Sequence, residues 1–80
     1  MTHRDKAQNG LRLLKEAVLG LLRDNPSGLG NAEIADLLGI RSSFGKGAKD
    51  WFSWSLLGML WNEKRIVRKG RRYLLNGSAY

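Results

Sequence analysis

The sequence predicts a mainly α fold with a small β-hairpin: three helices followed by two short strands. Apolar residues recur at helical spacing over 11–22, 34–38 and 54–61. Pro26, Gly28 and Gly39 punctuate the chain between these stretches. After residue 63 the pattern changes to a strand-like run, 66–75, broken by Lys69-Gly70. Eighty residues bury only roughly 60% of the unfolded surface. One domain spanning 1–80 is therefore expected, with 1–8 and 76–80 as its flexible ends.

The first helix is marked by Leu11, Leu14, Val18, Leu21 and Leu22, with Asn9 as its expected N-cap and Arg12, Lys15, Glu16 and Arg23 on its wet side. Pro26 disfavours helical geometry in the residue before it, so the helix ends at Asn25. Gly20 inside this helix costs about 1 kcal/mol against alanine and is expected to be a notch for a neighbouring backbone. Leu29 is the lone apolar residue of a very short strand or linker. Gly30 then opens a two-turn helix, and Glu33, three residues on, can reach back to a free amide at its start. Ile34, Leu37 and Leu38 form its stripe, and Gly39 supplies the left-handed residue that stops it.

In the third helix, Trp54, Leu57, Leu60 and Trp61 fall at i, i+3, i+6 and i+7, and this arc is expected to face the core with the small Ser53 beside it. Trp51, Phe52, Ser55 and Met59 then project outward, an unusually apolar outer face. In the hairpin, a two-residue turn at Lys69-Gly70 would set Arg68 against Arg71, Ile66 against Tyr73 and Val67 against Arg72. Like charges across a strand pair repel. A tip holding Arg68, Lys69, Arg71 and Arg72 is thus a poor choice for stability alone and points to an anionic partner.

Charge distribution supports the same conclusion. The net charge is +7, yet residues 1–40 hold five bases and five acids, while residues 41–80 hold nine bases against Asp50 and Glu63. So one-sided an excess points to a polyanion, nucleic acid before an acidic membrane surface. There is no cysteine, hence no disulfide framework or thiolate metal site, and the single histidine, His3, lies in the expected flexible end. The acids Asp24, Asp36, Asp50 and Glu63 are scattered, and no glycine-rich phosphate loop is present. A non-enzymatic protein without cofactor or metal is expected. No apolar run reaches the ~18 residues of a membrane span, and a cytoplasmic, nucleoid-associated location without membrane contact fits.

The run 30–35 through Leu38-Gly39-Ile40 resembles the first half of a helix-turn-helix, where a small residue (Ala35) and a glycine four later (Gly39) let two helices cross closely. Leu57, Leu60, the run 62–67 and the basic hairpin resemble the end of a recognition helix and the wing of a winged-helix domain. The resemblance covers 11–75 and implies a three-helix winged helix-turn-helix. Among winged helices the chain most resembles the small modules attached to bacterial restriction endonucleases of the Mrr N-terminal type, which also have a long turn before the recognition helix. Three features depart from the pattern: Gly30 stands where many such domains have threonine or serine, the turn 41–48 is long, and Lys64 stands where the family usually has glycine.

A double-stranded DNA-binding module is the function this implies, with the third helix in the major groove. Arg68, Lys69, Arg71 and Arg72 would meet phosphate or the minor groove, and Arg41, Lys46 and Lys49 would hold the adjoining backbone. Ser42, Ser43 and Ser55 would donate to phosphates or base edges. The outer face of the third helix offers no arginine, asparagine or glutamine before Asn62, so strong sequence specificity is not expected. The alternative is a protein-interaction winged helix in which Trp51, Phe52 and Met59 contact a second copy or a fused or associated domain.

Overall fold

A computed structural model describes residues 1–44 and 48–77, with 43–44 and 48–49 described by their backbone alone. Its elements are α1 (His3–Asp24), α2 (Asn31–Leu38), β1 (Ser43–Phe44), β2 (Ala48–Lys49), α3 (Trp51–Asn62), β3 (Ile66–Lys69) and β4 (Arg72–Leu75). The molecule is mainly helical with a small antiparallel hairpin, β3–β4, and a second two-residue pair, β1–β2, within the long turn. Among the described residues no helix is long and apolar enough to cross a membrane.

α1 starts earlier than periodicity suggests. Thr2 caps it, its Oγ1 accepting from the Asp5 amide at 3.1 Å while Asp5 Oδ2 accepts from the Thr2 amide at 3.1 Å. This capping box satisfies two otherwise unpaired donors and makes residues 3–8 helical rather than a flexible end; Asn9 is interior, not the cap. The other end closes at Asn25, as Pro26 requires. Gly20 is no notch: a Cβ there would meet only Arg23 Nη2, at 3.6 Å.

α2 is held at its start by Glu33, whose Oε1 accepts from the Gly30 amide at 3.0 Å; Gly30 has no side chain to return the bond. Gly39, at φ 69°, ends it, and the Ile40 amide reaches back to the Ala35 carbonyl at 2.9 Å. Ile34 and Ala35 are buried, whereas Leu37, expected in the buried stripe, is exposed to solvent.

The core joins Val18 and Leu22 of α1, Ile34 of α2, Leu56, Leu57 and Leu60 of α3, and Leu29, Ile66 and Tyr73. In α3 the buried face is therefore Ser53, Leu56, Leu57 and Leu60. Trp54 and Trp61 do not face the core as expected; they are 63% and 48% exposed. Both arcs are apolar, but a chain of this size has little interior for two indoles. Leucines beside the small Ser53 let α3 lie close against α2.

The hairpin pairs Ile66 with Leu75, Val67 with Leu74, Arg68 with Tyr73 and Lys69 with Arg72. The turn is thus Gly70-Arg71, not Lys69-Gly70. Gly70 takes φ 60° at the first central position, where a two-residue turn of the II′ type demands glycine; the other placement would put Lys69 there. Each partner shifts by two residues, an even number, so the faces survive: Ile66 and Tyr73 both point inward. Leu29 forms an isolated bridge to Tyr73, with mutual amide bonds of 3.1 and 2.8 Å. At the far end the Asn76 amide donates to the Arg65 carbonyl at 3.1 Å, so the expected flexible end is anchored at its first residue; 78–80 lie outside the described residues.

Candidate functional site

The basic hairpin stands directly beside the exposed face of α3. Trp51, Trp54, Gly58 and Trp61 recur at i, i+3, i+7 and i+10, which places them on one stripe that flanks the leucine face on the side of Leu57. Between this stripe, the hairpin and the start of α2 runs a groove with two connected hollows. One, of about 200 Å³, is lined by Trp54, Leu57, Gly58, Trp61, Arg68 and Tyr73. The other, of about 380 Å³, shares Trp54, Arg68 and Tyr73 and continues to Arg71 and residues 30–33. The one acid on its rim, Glu33, has its Oε1 committed to the Gly30 amide.

The hairpin cations differ in their ties. Arg68 donates from Nε to the Gly70 carbonyl at 2.8 Å, and its guanidinium lies 5.7 Å from the Tyr73 ring centre, a cation–π contact that aims it along the groove. Lys69 and Arg71 are exposed. Arg72 sits across from Lys69 and donates from Nη1 to the Gly28 carbonyl at 2.8 Å, clamping the α1–α2 turn onto the hairpin. Gly28, at φ 90°, is what lets that turn approach: a Cβ would lie 3.0 Å from both Leu74 Cγ and the Tyr73 carbonyl oxygen.

Arg41 and Ser42 turn inward to a polar cluster at the start of α3. Asp50, buried and left-handed at φ 53°, accepts at Oδ1 from Arg41 Nε at 2.8 Å and from the Ser42 amide at 3.3 Å. The Asp50 amide in turn bonds the Ser42 carbonyl. Ser42 Oγ accepts from the Phe52 amide at 3.2 Å, capping α3 from outside the helix because Asp50 does not do so with its own side chain. Ser53 Oγ donates to Asn31 Oδ1 at 2.6 Å, and Asn31 Nδ2 donates to the Asp50 carbonyl at 3.2 Å. These bonds fix the N-termini of α2 and α3 against each other and hold the α3 stripe in its orientation to the hairpin.

Of the other expected contact residues, Ser55 is half-buried and is not part of the groove lining. Lys46 lies outside the described residues, and the side chains of Ser43 and Lys49 do too. Trp51 is 42% exposed and packs at 5.8 Å, tilted by 58°, against the half-buried Phe52. Met59 is 38% exposed. Trp54, Gly58 and Trp61 were not among the expected site residues; their spacing of four and three with Trp51 was the available signal. Among the described residues no three His, Asp or Glu side chains gather as a metal ion would need.

Compared with protein-family models, with curated proteins and with solved structures, the chain matches none.

Proposed function

We propose that this chain is a duplex-DNA-binding module of the winged-helix kind, non-enzymatic, with the β3–β4 hairpin as its wing. The observation that carries this is the hairpin tip, where Lys69 stands directly across from Arg72 with Arg68 and Arg71 beside them. Such a cluster is self-repulsive, and phosphates neutralise it with release of condensed counterions. Lys64 and Arg65 are exposed as well, but at the other end of β3, where Arg65 lies with Arg12, Lys15, Glu16 and Glu63 rather than at the tip. Within the wing, Lys69, Arg71 and the guanidinium nitrogens that Arg68 and Arg72 do not spend on the Gly70 and Gly28 carbonyls carry the phosphate contacts. Arg41 and Ser42 also serve the architecture of the α3 start. Phosphate contacts fix position without reading sequence, so the module binds duplexes of different sequence with similar affinity. The likeness to restriction-endonuclease modules extends the proposal to an accessory role, with any nuclease chemistry in another domain or protein.

The test is an amide NMR titration with a blunt duplex. Shifts concentrated on residues 68–72 support the wing; shifts confined to residues around Trp51 and Met59, or none, count against it. A second use is favoured by one observation. Trp51 and Met59 leave apolar surface exposed beside Phe52, as a contact with a second copy or an associated domain would require, and sedimentation of Trp51→Ala against the parent protein reads it.

A further inference from the structure

The exposed stripe of α3 contains a glycine that the fold does not use. Gly58 lies mid-helix, where glycine is destabilising relative to alanine, yet a Cβ there would meet nothing within 4 Å. No packing explains it. Its effect is to leave a gap between the exposed Trp54 and Trp61, floored by the backbone and closed on one side by Arg68 over Tyr73. The backbone positions that carry the two indoles are seven residues apart, a rise of about 10.5 Å along the helix axis, or three of the ~3.4 Å steps that separate stacked bases. Flat apolar walls with a cationic rim suit one class of occupant, an aromatic ring that carries a phosphate.

We propose that this groove binds an unpaired nucleobase, stacked on Trp54 or Trp61 above Gly58, with its adjoining phosphate on Arg68 and Arg71. Bases inside a duplex have both faces covered by their neighbours. Away from the ends of a duplex, only bases at a single-stranded extension, a gap or a bulge offer a face without the cost of unstacking, and at a blunt end the exposed face belongs to a whole base pair rather than to a single base. The substrate class is accordingly DNA with a junction between paired and unpaired nucleotides. The wing lies on the paired part and the groove holds the first unpaired base. This rests on the proposal that the wing binds duplex DNA.

The experiment compares a labelled blunt duplex with the same duplex bearing a three-nucleotide single-stranded extension, by fluorescence anisotropy at fixed salt. The readout is the ratio of the two affinities. The parent protein is expected to prefer the extended duplex by about 5- to 150-fold, the span of base–aromatic stacking. Gly58→Leu, which fills the gap, and Trp54→Ala/Trp61→Ala should bring the ratio to about 1. Trp54→Phe/Trp61→Phe, which keeps two aromatic faces, should retain most of the preference. Thermal melts confirm that each variant is folded. Equal affinity of the parent protein for both duplexes, with binding still weakened by alanine at Lys69 and Arg71, overturns the stacking site and leaves the wing standing. Binding to neither duplex overturns both. Loss of self-association in Trp54→Ala/Trp61→Ala, with the affinity ratio unmoved, would show the stripe to be a protein contact and also overturns the inference.

Discussion

Replacing Leu56 and Trp54 separately by alanine tests which face of α3 is the core. Leu56 is 1% exposed and sits among Val18, Leu22 and Ile34 in the buried cluster. Removing three carbons there loses transfer free energy and leaves a cavity, a cost of ~2 to 5 kcal/mol. Trp54 is 63% exposed, so only about a third of the ~3 to 5 kcal/mol of a fully buried tryptophan is at stake, roughly 1 to 2 kcal/mol. For a chain of this size the whole stability is on the order of 4 to 12 kcal/mol. Leu56→Ala should therefore leave a marginal protein, whereas Trp54→Ala should remain well folded. Each kcal/mol moves the melting temperature by about 4 to 8 °C, so the two variants separate clearly in thermal or urea denaturation. Equal losses, or a larger loss at Trp54, would mean that the indole is packed and the groove beside the hairpin does not exist as described.

Three other substitutions probe the supports of the site. Lys64 follows α3 at φ 61°, so Lys64→Gly should raise stability by roughly 1 kcal/mol in chemical denaturation, the cost of a left-handed non-glycine residue; a loss would mean that the side chain contributes more than its backbone costs. Ser53→Ala removes the 2.6 Å bond to Asn31 Oδ1 and should cost ~1 to 3 kcal/mol by leaving a partly buried acceptor short of a partner, a value read from the urea midpoint. Gly28→Ala meets both a left-handed φ and the hairpin backbone; it should destabilise by more than ~1 kcal/mol, and a neutral melt would show that the α1–α2 turn is not clamped as observed.

Much of this architecture was legible because single residues dictate it. Pro26 ends α1, Gly39 ends α2, Glu33 bonds back to Gly30, and Lys64 takes the left-handed position where a glycine was expected. Periodicity failed where a helix is apolar on nearly every side. In α3 two arcs of similar hydrophobicity compete, and tertiary fit, not spacing, chose the leucines over Trp54 and Trp61. The start of α1 was missed because it is set by the side-chain caps Thr2 and Asp5, a Thr-x-x-Asp capping box that leaves no apolar periodicity. The hairpin register hung on which side of Gly70 its turn fell, a choice made by backbone dihedrals. Basic residues were readily found, but the bonds that Arg41 and Arg72 make within the protein are something composition cannot reveal.

The salt dependence of duplex binding by Arg68→Ala/Lys69→Ala/Arg71→Ala tests the wing most directly. Arg72 is retained because its Nη1 holds the Gly28 carbonyl, and none of the three replaced residues belongs to the core. Each phosphate contact contributes ~0.9 to the slope of log affinity against log salt. If all three residues meet phosphates, the slope should flatten by about 2 to 3 relative to the parent protein, with affinity falling alike for duplexes of different sequence. A folded variant that binds duplex with the parent slope would contradict the wing as the DNA-binding element.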